Sequence, residues 1–342
     1  MSFLASKKKR NVKNEFLTRQ PLKVNVYMKI ICQKGCKLGM QLNKLTRQIR
    51  QRWQLFMFVL PAFLYILLFD YKPMYGIIIA FQNYKLKLGV DGSSFVGFAN
   101  FERLFSSYWF PIILKNTLSI SILSLVISFP LPIILSLMVN EVRSPGLKKT
   151  FQTVSYAPHF VSVVVVCSMI VLFLSPSSGM INRLIEFFGG EKIAFMQDPN
   201  AFKWIYVLSG IWQNTGWDAI IYFAALSAVD LELLEAAEID GANRIQKIVH
   251  INLPALIPTI LVLLILRCGS VLNIGYEKVY LLQNATNITG SEVISTYVYK
   301  MGLEKSDFSF STATGLFNSV VNCFILIVVN GIIRKVSETS LW

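Results

Sequence analysis

Glu235-Ala236-Ala237, then Asp240-Gly241-Ala242, then Ile251-Asn252-Leu253-Pro254, a polar cassette set between two apolar stretches, decides how this chain is read. Asp230 can cap a short helix from Leu231 to Ile239, and Gly241 supplies the left-handed backbone that ends it. A second helix is expected from Asn243, with Ile245, Ile248, Val249 and Leu253 on one stripe. Pro254 is expected to stop that run, because it has no N–H to donate to the preceding turn. Two short helices about a tight glycine bend make a rigid knob. On the cytoplasmic side of a membrane, such a knob suits docking into a cleft on a partner protein.

Composition places the cassette in a membrane protein. Hydrophobic residues make up 54% of the 342 and charged residues only 15%, and the mean hydropathy is +0.53, too much apolar surface for a soluble domain. Six stretches can supply the roughly twenty apolar residues that a spanning helix needs, at about 53–69, 112–139, 155–175, 203–227, 256–274 and 316–333. Pro130 and Pro132 are expected to kink the second rather than end it. Residues 1–52 hold 14 of the 33 basic residues against a single acid, Glu15, which puts the N-terminus in the cytoplasm, and six crossings return the C-terminus there. Arg143, Lys148, Lys149, Arg244, Lys247, Arg334 and Lys335 fall on that same side. The segments of about 70–111, 176–202 and 275–315 are then external, and their glycine, proline and serine clusters read as turns.

The cassette closely resembles the signature loop of the membrane subunits of binding-protein-dependent ABC importers, with Ile248 where that family often has an aromatic residue. Tyr71-Lys72-Pro73-Met74-Tyr75-Gly76, Ile79-Ala80-Phe81, Asn83-Tyr84, Val96-Gly97-Phe98-Ala99-Asn100-Phe101, Gly275-Tyr276-Glu277, Glu292 to Tyr299 and the terminal Ser340-Leu341-Trp342 are similar to the oligosaccharide and polysaccharide permeases that work with a lipoprotein receptor. The resemblance implies an all-α membrane protein of six transmembrane helices, the type I permease fold, with both termini cytoplasmic. It implies a basic arm at 1–52 and a permease domain at 53–342 with its coupling-helix loop at 230–254. Glu235, Ala236, Ala237, Asp240, Gly241, Ala242, Ile248, Ile251, Leu253 and Pro254 would contact the ATPase, Glu235 facing a basic residue there. The implied partners are a second, non-identical permease, two ATPase subunits that bind the ATP and Mg, an extracellular sugar-binding lipoprotein, and an oligosaccharide as cargo. No cofactor is expected in this chain itself.

The remaining residues favour structural roles. Lys7-Lys8-Lys9-Arg10 could touch nucleic acid or anionic lipid, but it reads as a basic flank that fixes topology, cytoplasmic loops beside anionic lipid account for the net charge of +14, and no nucleic-acid partner is expected. It does not read as a secretory signal, because a basic stretch of about fifty residues with no small-residue cleavage site precedes the first span. Cys32, Cys36, Cys167, Cys268 and Cys323 form no disulfide or zinc framework. His159 and His250 read as structural or solvated. The Asn-x-Thr triplets at Asn284 and Asn287 read as chance matches to a glycosylation site. No phosphate-binding Gly-Lys-Ser/Thr loop and no hydrolase motif occurs, so the chain is not an enzyme and its energy must come from a separate polypeptide.

Two charges lie inside expected spans. Asp218 and Arg267 each sit roughly 15 Å deep in antiparallel neighbours, so an ion pair between them is geometrically available. It reads equally as a structural pair or as a polar lining of a transport path. Trp212, Trp217 and Tyr222, with Gln213 and Asn214 interleaved, combine flat apolar faces with hydrogen-bonding groups, as pyranose rings require, although packing or the membrane interface explains each aromatic as well. The alternative is an ion-coupled secondary transporter of a small polar solute, which would have no use for the cassette. A membrane enzyme lacks any constellation to begin from.

Overall fold

The structure is a computed structural model that describes residues 52–337. The expected basic arm up to residue 51, with Cys32 and Cys36, and the terminal Ser340-Leu341-Trp342 lie outside the described residues. The chain divides into two units, Met1–Tyr75 and Gly76–Trp342. In the first unit the described residues form helix Trp53–Ile66, a π turn Leu67–Tyr71 and a last short turn Lys72–Met74.

Four helical runs are long and apolar enough to cross a membrane among the described residues: Trp53–Phe81, Trp109–Asn140, Arg244–Gly269 and Phe308–Lys335. A fifth is possible if Pro145–Phe160 and Val163–Phe173, bent by 93° from one another, count as one span. The sequence shows a continuous apolar stretch at 155–175. The structure breaks it at Val161 and Ser162, where Ser162 caps the second helix by accepting from Val165 N. Pro199–Ser227, the expected fourth span, is a single helix of 29 residues, about 43 Å at 1.5 Å per residue. It is long enough to cross, but it carries Lys203, Gln213, Asn214 and Asp218, and its composition falls short of a uniformly apolar span.

Three of the apolar runs meet proline in the same way. A π turn ends two residues before Pro73 (Leu67–Tyr71), before Pro130 (Ser124–Ser128) and before Pro254 (Ile248–Asn252). The widened turn makes room for the proline ring and absorbs the missing N–H. The second span therefore continues through Pro130 and Pro132 as expected. Pro254 does not stop its run, contrary to the sequence expectation: the π turn just ahead of it accommodates the ring and the missing N–H, and the helix continues through Leu253–Gly269.

The expected external segments hold more order than turns. A two-residue antiparallel ladder pairs Gln82 with Phe95 and Asn83 with Ser94, a small departure from an all-α chain. Short helices run over Ala99–Phe105, Met180–Phe187, Tyr276–Leu282, Ile288–Ser291 and Ile294–Tyr299. They are packed. Ile274, Val279, Leu282 and Val293 join Ile120, Cys167, Phe202 and Val207 in one core, and Leu104, Ile294 and Tyr297 join Ile113 and Phe310 in a second. Glu292 is buried and forms a 2.5 Å ion pair with Lys300. Asn287 is buried with its amide donating to the carbonyls of Met196 and Leu282, which leaves no exposed nitrogen to carry a glycan.

Candidate functional site

The cassette is built by local rules. Asp230 accepts from Glu232 N at 3.0 Å and starts helix Leu231–Ile239. The helix ends on Asp240, and Gly241 takes φ +79°. Gly241 N then donates to Glu238 O at 3.1 Å and Ala242 N to Ala237 O at 2.9 Å, the crossed pair of bonds that closes a helix on a left-handed glycine. Asn243 restarts the chain reciprocally: its N–H donates to Gln246 Oε1 at 2.7 Å and its own Oδ1 accepts from Gln246 N at 2.9 Å. Across the bend, Lys247 Nζ meets Glu238 Oε2 at 3.2 Å.

The expected apolar stripe divides into two faces. Ile248 and Leu253 turn inward onto Leu137, Tyr222, Leu226 and Leu256. Ile245, at 71% exposure, turns outward beside Ile239 at 87%, with Leu231 and Leu233 also exposed. Glu235 is exposed with no ion pair among the described residues. Asn252, which sequence reading passed over, is buried and donates to Glu141 Oε1 at 3.4 Å at the end of the Trp109–Asn140 run.

The intramembrane residues converge on two adjoining cavities. One, of about 510 Å³, is lined by Trp217, Asp218, Tyr222 and Arg267 together with Phe129 and Pro132. The other, of about 490 Å³, is lined by Asn214, Asp218 and Arg267 together with His159, Tyr206 and Lys278. Asp218 and Arg267 belong to both. No ion pair joins them directly among the described residues; of the two readings that matched depth leaves open, a direct pair or a polar lining, the two charges stand on a shared cavity wall. Trp212 lines neither cavity and is half exposed, because on a 100° helical pitch it points away from the face carrying Trp217 and Asp218.

His159 has a more specific place than sequence suggested. Its ring stacks on Trp217 at 4.3 Å, with 6° between planes, and Nδ1 lies 3.1 Å from Asn214 Oδ1. The bend before Val163 delivers it there, held by Gln213 Nε2 donating to Val161 O at 3.0 Å. At Gly216 the Pro199–Ser227 helix passes so close to Ser155 that any Cβ would overlap the Ser155 carbonyl. Lys278, in the expected external stretch, was invisible as a site residue, yet it is buried on the cavity wall.

Residues 128–338 match the family described as binding-protein-dependent transport system inner membrane component. The chain belongs to that family. The permease is thus a multi-pass membrane protein and a transport component, not an enzyme, and works with a binding protein and an ATPase. It is 47% identical over 298 residues to the polygalacturonan/rhamnogalacturonan transport system permease protein YteP of Bacillus subtilis (strain 168), spanning 87% of this chain and 92% of that one. Protein LplB of the same organism is 44% identical over 86% of this chain and 92% of its own. Among solved structures, a bacterial ABC transporter involved in the import of the acidic polysaccharide alginate is similar with a TM-score of 0.79 and 40% identity, covering 86% of the permease and 99% of that chain.

Proposed function

We propose that the permease passes an acidic oligosaccharide inward as one half of a two-permease channel, driven by separate ATPases that grip residues 230–254. Import of oligo- or polysaccharides is the activity of its relatives, and the two named substrates, polygalacturonan/rhamnogalacturonan and alginate, are rich in uronate. The observation that carries the coupling is the two-faced cassette. Its outer face presents Ile239 and Ile245 to a partner, while Ile248 and Leu253 are seated against Tyr222 and Leu226. Those last two residues stand on the same helix as Trp217 and Asp218. A push on the knob is therefore delivered to the helix that lines both cavities, as a rigid-body movement that exchanges inward for outward access.

In this reading the Pro199–Ser227 helix crosses the membrane, its polar residues turned to the path, and the bent pair supplies another crossing, giving six with both termini cytoplasmic. Trp217, Asn214, Asp218, Tyr222 and Arg267 line the path. A lipoprotein receptor delivers the sugar outside, a second and different permease completes the channel, and ATP with Mg is bound by the ATPase subunits. The test is ATP-dependent uptake of oligogalacturonate into proteoliposomes holding the whole assembly. Uptake is expected to need ATP, receptor and both permeases; uptake by this chain alone on an ion gradient would point to a secondary carrier instead.

A further inference from the structure

The 490 Å³ cavity holds a cation whose charge the fold leaves uncompensated. Lys278 is 9% exposed, on helix Tyr276–Leu282. Its ammonium donates to Tyr206 O at 3.1 Å and lies 4.8 Å from the centre of the Tyr206 ring. An ammonium has three protons to give, and no carboxylate lies within ion-pair distance among the described residues. A buried charge without a counter-ion is costly, and it persists where a partner of opposite charge arrives from outside the fold. Arg267 lines the same cavity, also without an ion pair, and continues into the neighbouring one. A cavity of this size takes a sugar ring with room to move on.

We propose that Lys278 and Arg267 read the carboxylate of a uronate ring in this cavity, Lys278 as a point charge and Arg267 through its planar fork, and so set the preference of the permease for acidic over neutral oligosaccharides. The inference rests on the reading that an oligosaccharide passes through these cavities. Asp218 and Glu277 also line the wall, so the cavity holds both signs. Lys278 stands apart because it is buried with only Tyr206 as partner and no carboxylate within ion-pair distance among the described residues. His159, stacked on Trp217, extends a flat surface against which the ring itself can lie.

The site has a pH signature. Burial pushes the Lys278 ammonium down to about 8, against a smaller opposing effect of the Cys167 thiol. The other titratable or charged groups around it are Tyr206, His159, Asp218, Arg267 and Glu277. Below pH 8 the ammonium is charged and holds a carboxylate; as pH rises through 8 toward 9 it gives up its proton and the hold is lost. An arginine at this position stays charged across that window.

The test uses the complete assembly in proteoliposomes, with uptake measured for a galacturonate trimer, a mannuronate trimer, the methyl ester of each and a neutral arabinose trimer. The wild type is expected to favour acid over ester, with a preference that fades between pH 7 and 9. Lys278→Met should cut that preference roughly tenfold, as loss of one charge-assisted hydrogen bond implies, while ester uptake persists. Lys278→Arg should keep the preference and remove its pH dependence. Equal loss of acid and ester uptake in Lys278→Met at wild-type yield would overturn the carboxylate role and leave the import reading intact; a wild type that takes up only the ester or the arabinose trimer would overturn both the carboxylate role and the acidic cargo, leaving oligosaccharide import alone standing. If the wild type takes up none of the five, the import reading itself falls, and the carboxylate site with it.

Discussion

Gly241 does its work through backbone alone. A Cβ built there meets nothing within 4 Å, so the penalty for a side chain comes from φ +79° and not from crowding. That penalty is about 1–2 kcal/mol, enough to open the crossed bonds to Ala237 and Glu238 and to swing Asn243 away from its capping position. Gly241→Val is expected to insert at normal membrane yield and to lower uptake per assembled complex, with Gly241→Ala intermediate. Full uptake by the valine variant with normal ATPase association would remove the bend from the coupling mechanism. The features legible in sequence are of this local kind. Asp230, Gly241 and Asn243 act on backbone groups within three residues of themselves, so their types and spacing suffice. Lys278 is the opposite case. A lysine in a stretch expected to be external reads as solvated, and it is the packing of Tyr276–Leu282 against the Val163–Phe173 helix, with Tyr206 of the long helix over the ammonium, that buries it.

At the scale of elements, the long helix Pro199–Ser227 organises the site, and its rotation is fixed by contacts that no pattern in its own sequence reveals. Apolar residues surround it, so periodicity could not tell that Trp217 faces a cavity while Trp212 faces away. Gly216 sets the rotation by letting the helix close on the Ser155 carbonyl, and Gln213 ties it to Val161 O. Gly216→Ala is expected to lower the thermal stability of the purified complex by several degrees, because backbone on both sides must shift to relieve the overlap. Unchanged stability would remove Gly216 from the contacts that set the rotation of this helix. Proline misled for a related reason. Pro254 was expected to end a helix, but the π turn Ile248–Asn252 widens just ahead of it and the run continues into the membrane-crossing segment. That continuity gives the cassette a stiff connection to Arg267, four turns farther on. The break at Val161 and Ser162 is masked by the apolar average of the stretch, which outweighs the local signals of Pro158 and the capping Ser162.

At the scale of the whole molecule, the central claim is that an exposed apolar knob receives the stroke of a separate ATPase and passes it to the helix lining the path. Ile239 and Ile245 are suited to test it, since they are 87% and 71% exposed and touch none of the three cores, so their replacement should leave the fold undisturbed. The direct measurement is the amount of ATPase retained when the solubilised assembly is captured through this permease, compared between wild type and the double variant Ile239→Asp with Ile245→Asp. The expected result is loss of most of the ATPase, with the second permease retained and membrane yield unchanged. Full retention of the ATPase together with wild-type uptake would contradict the claim that residues 230–254 are where the motor engages.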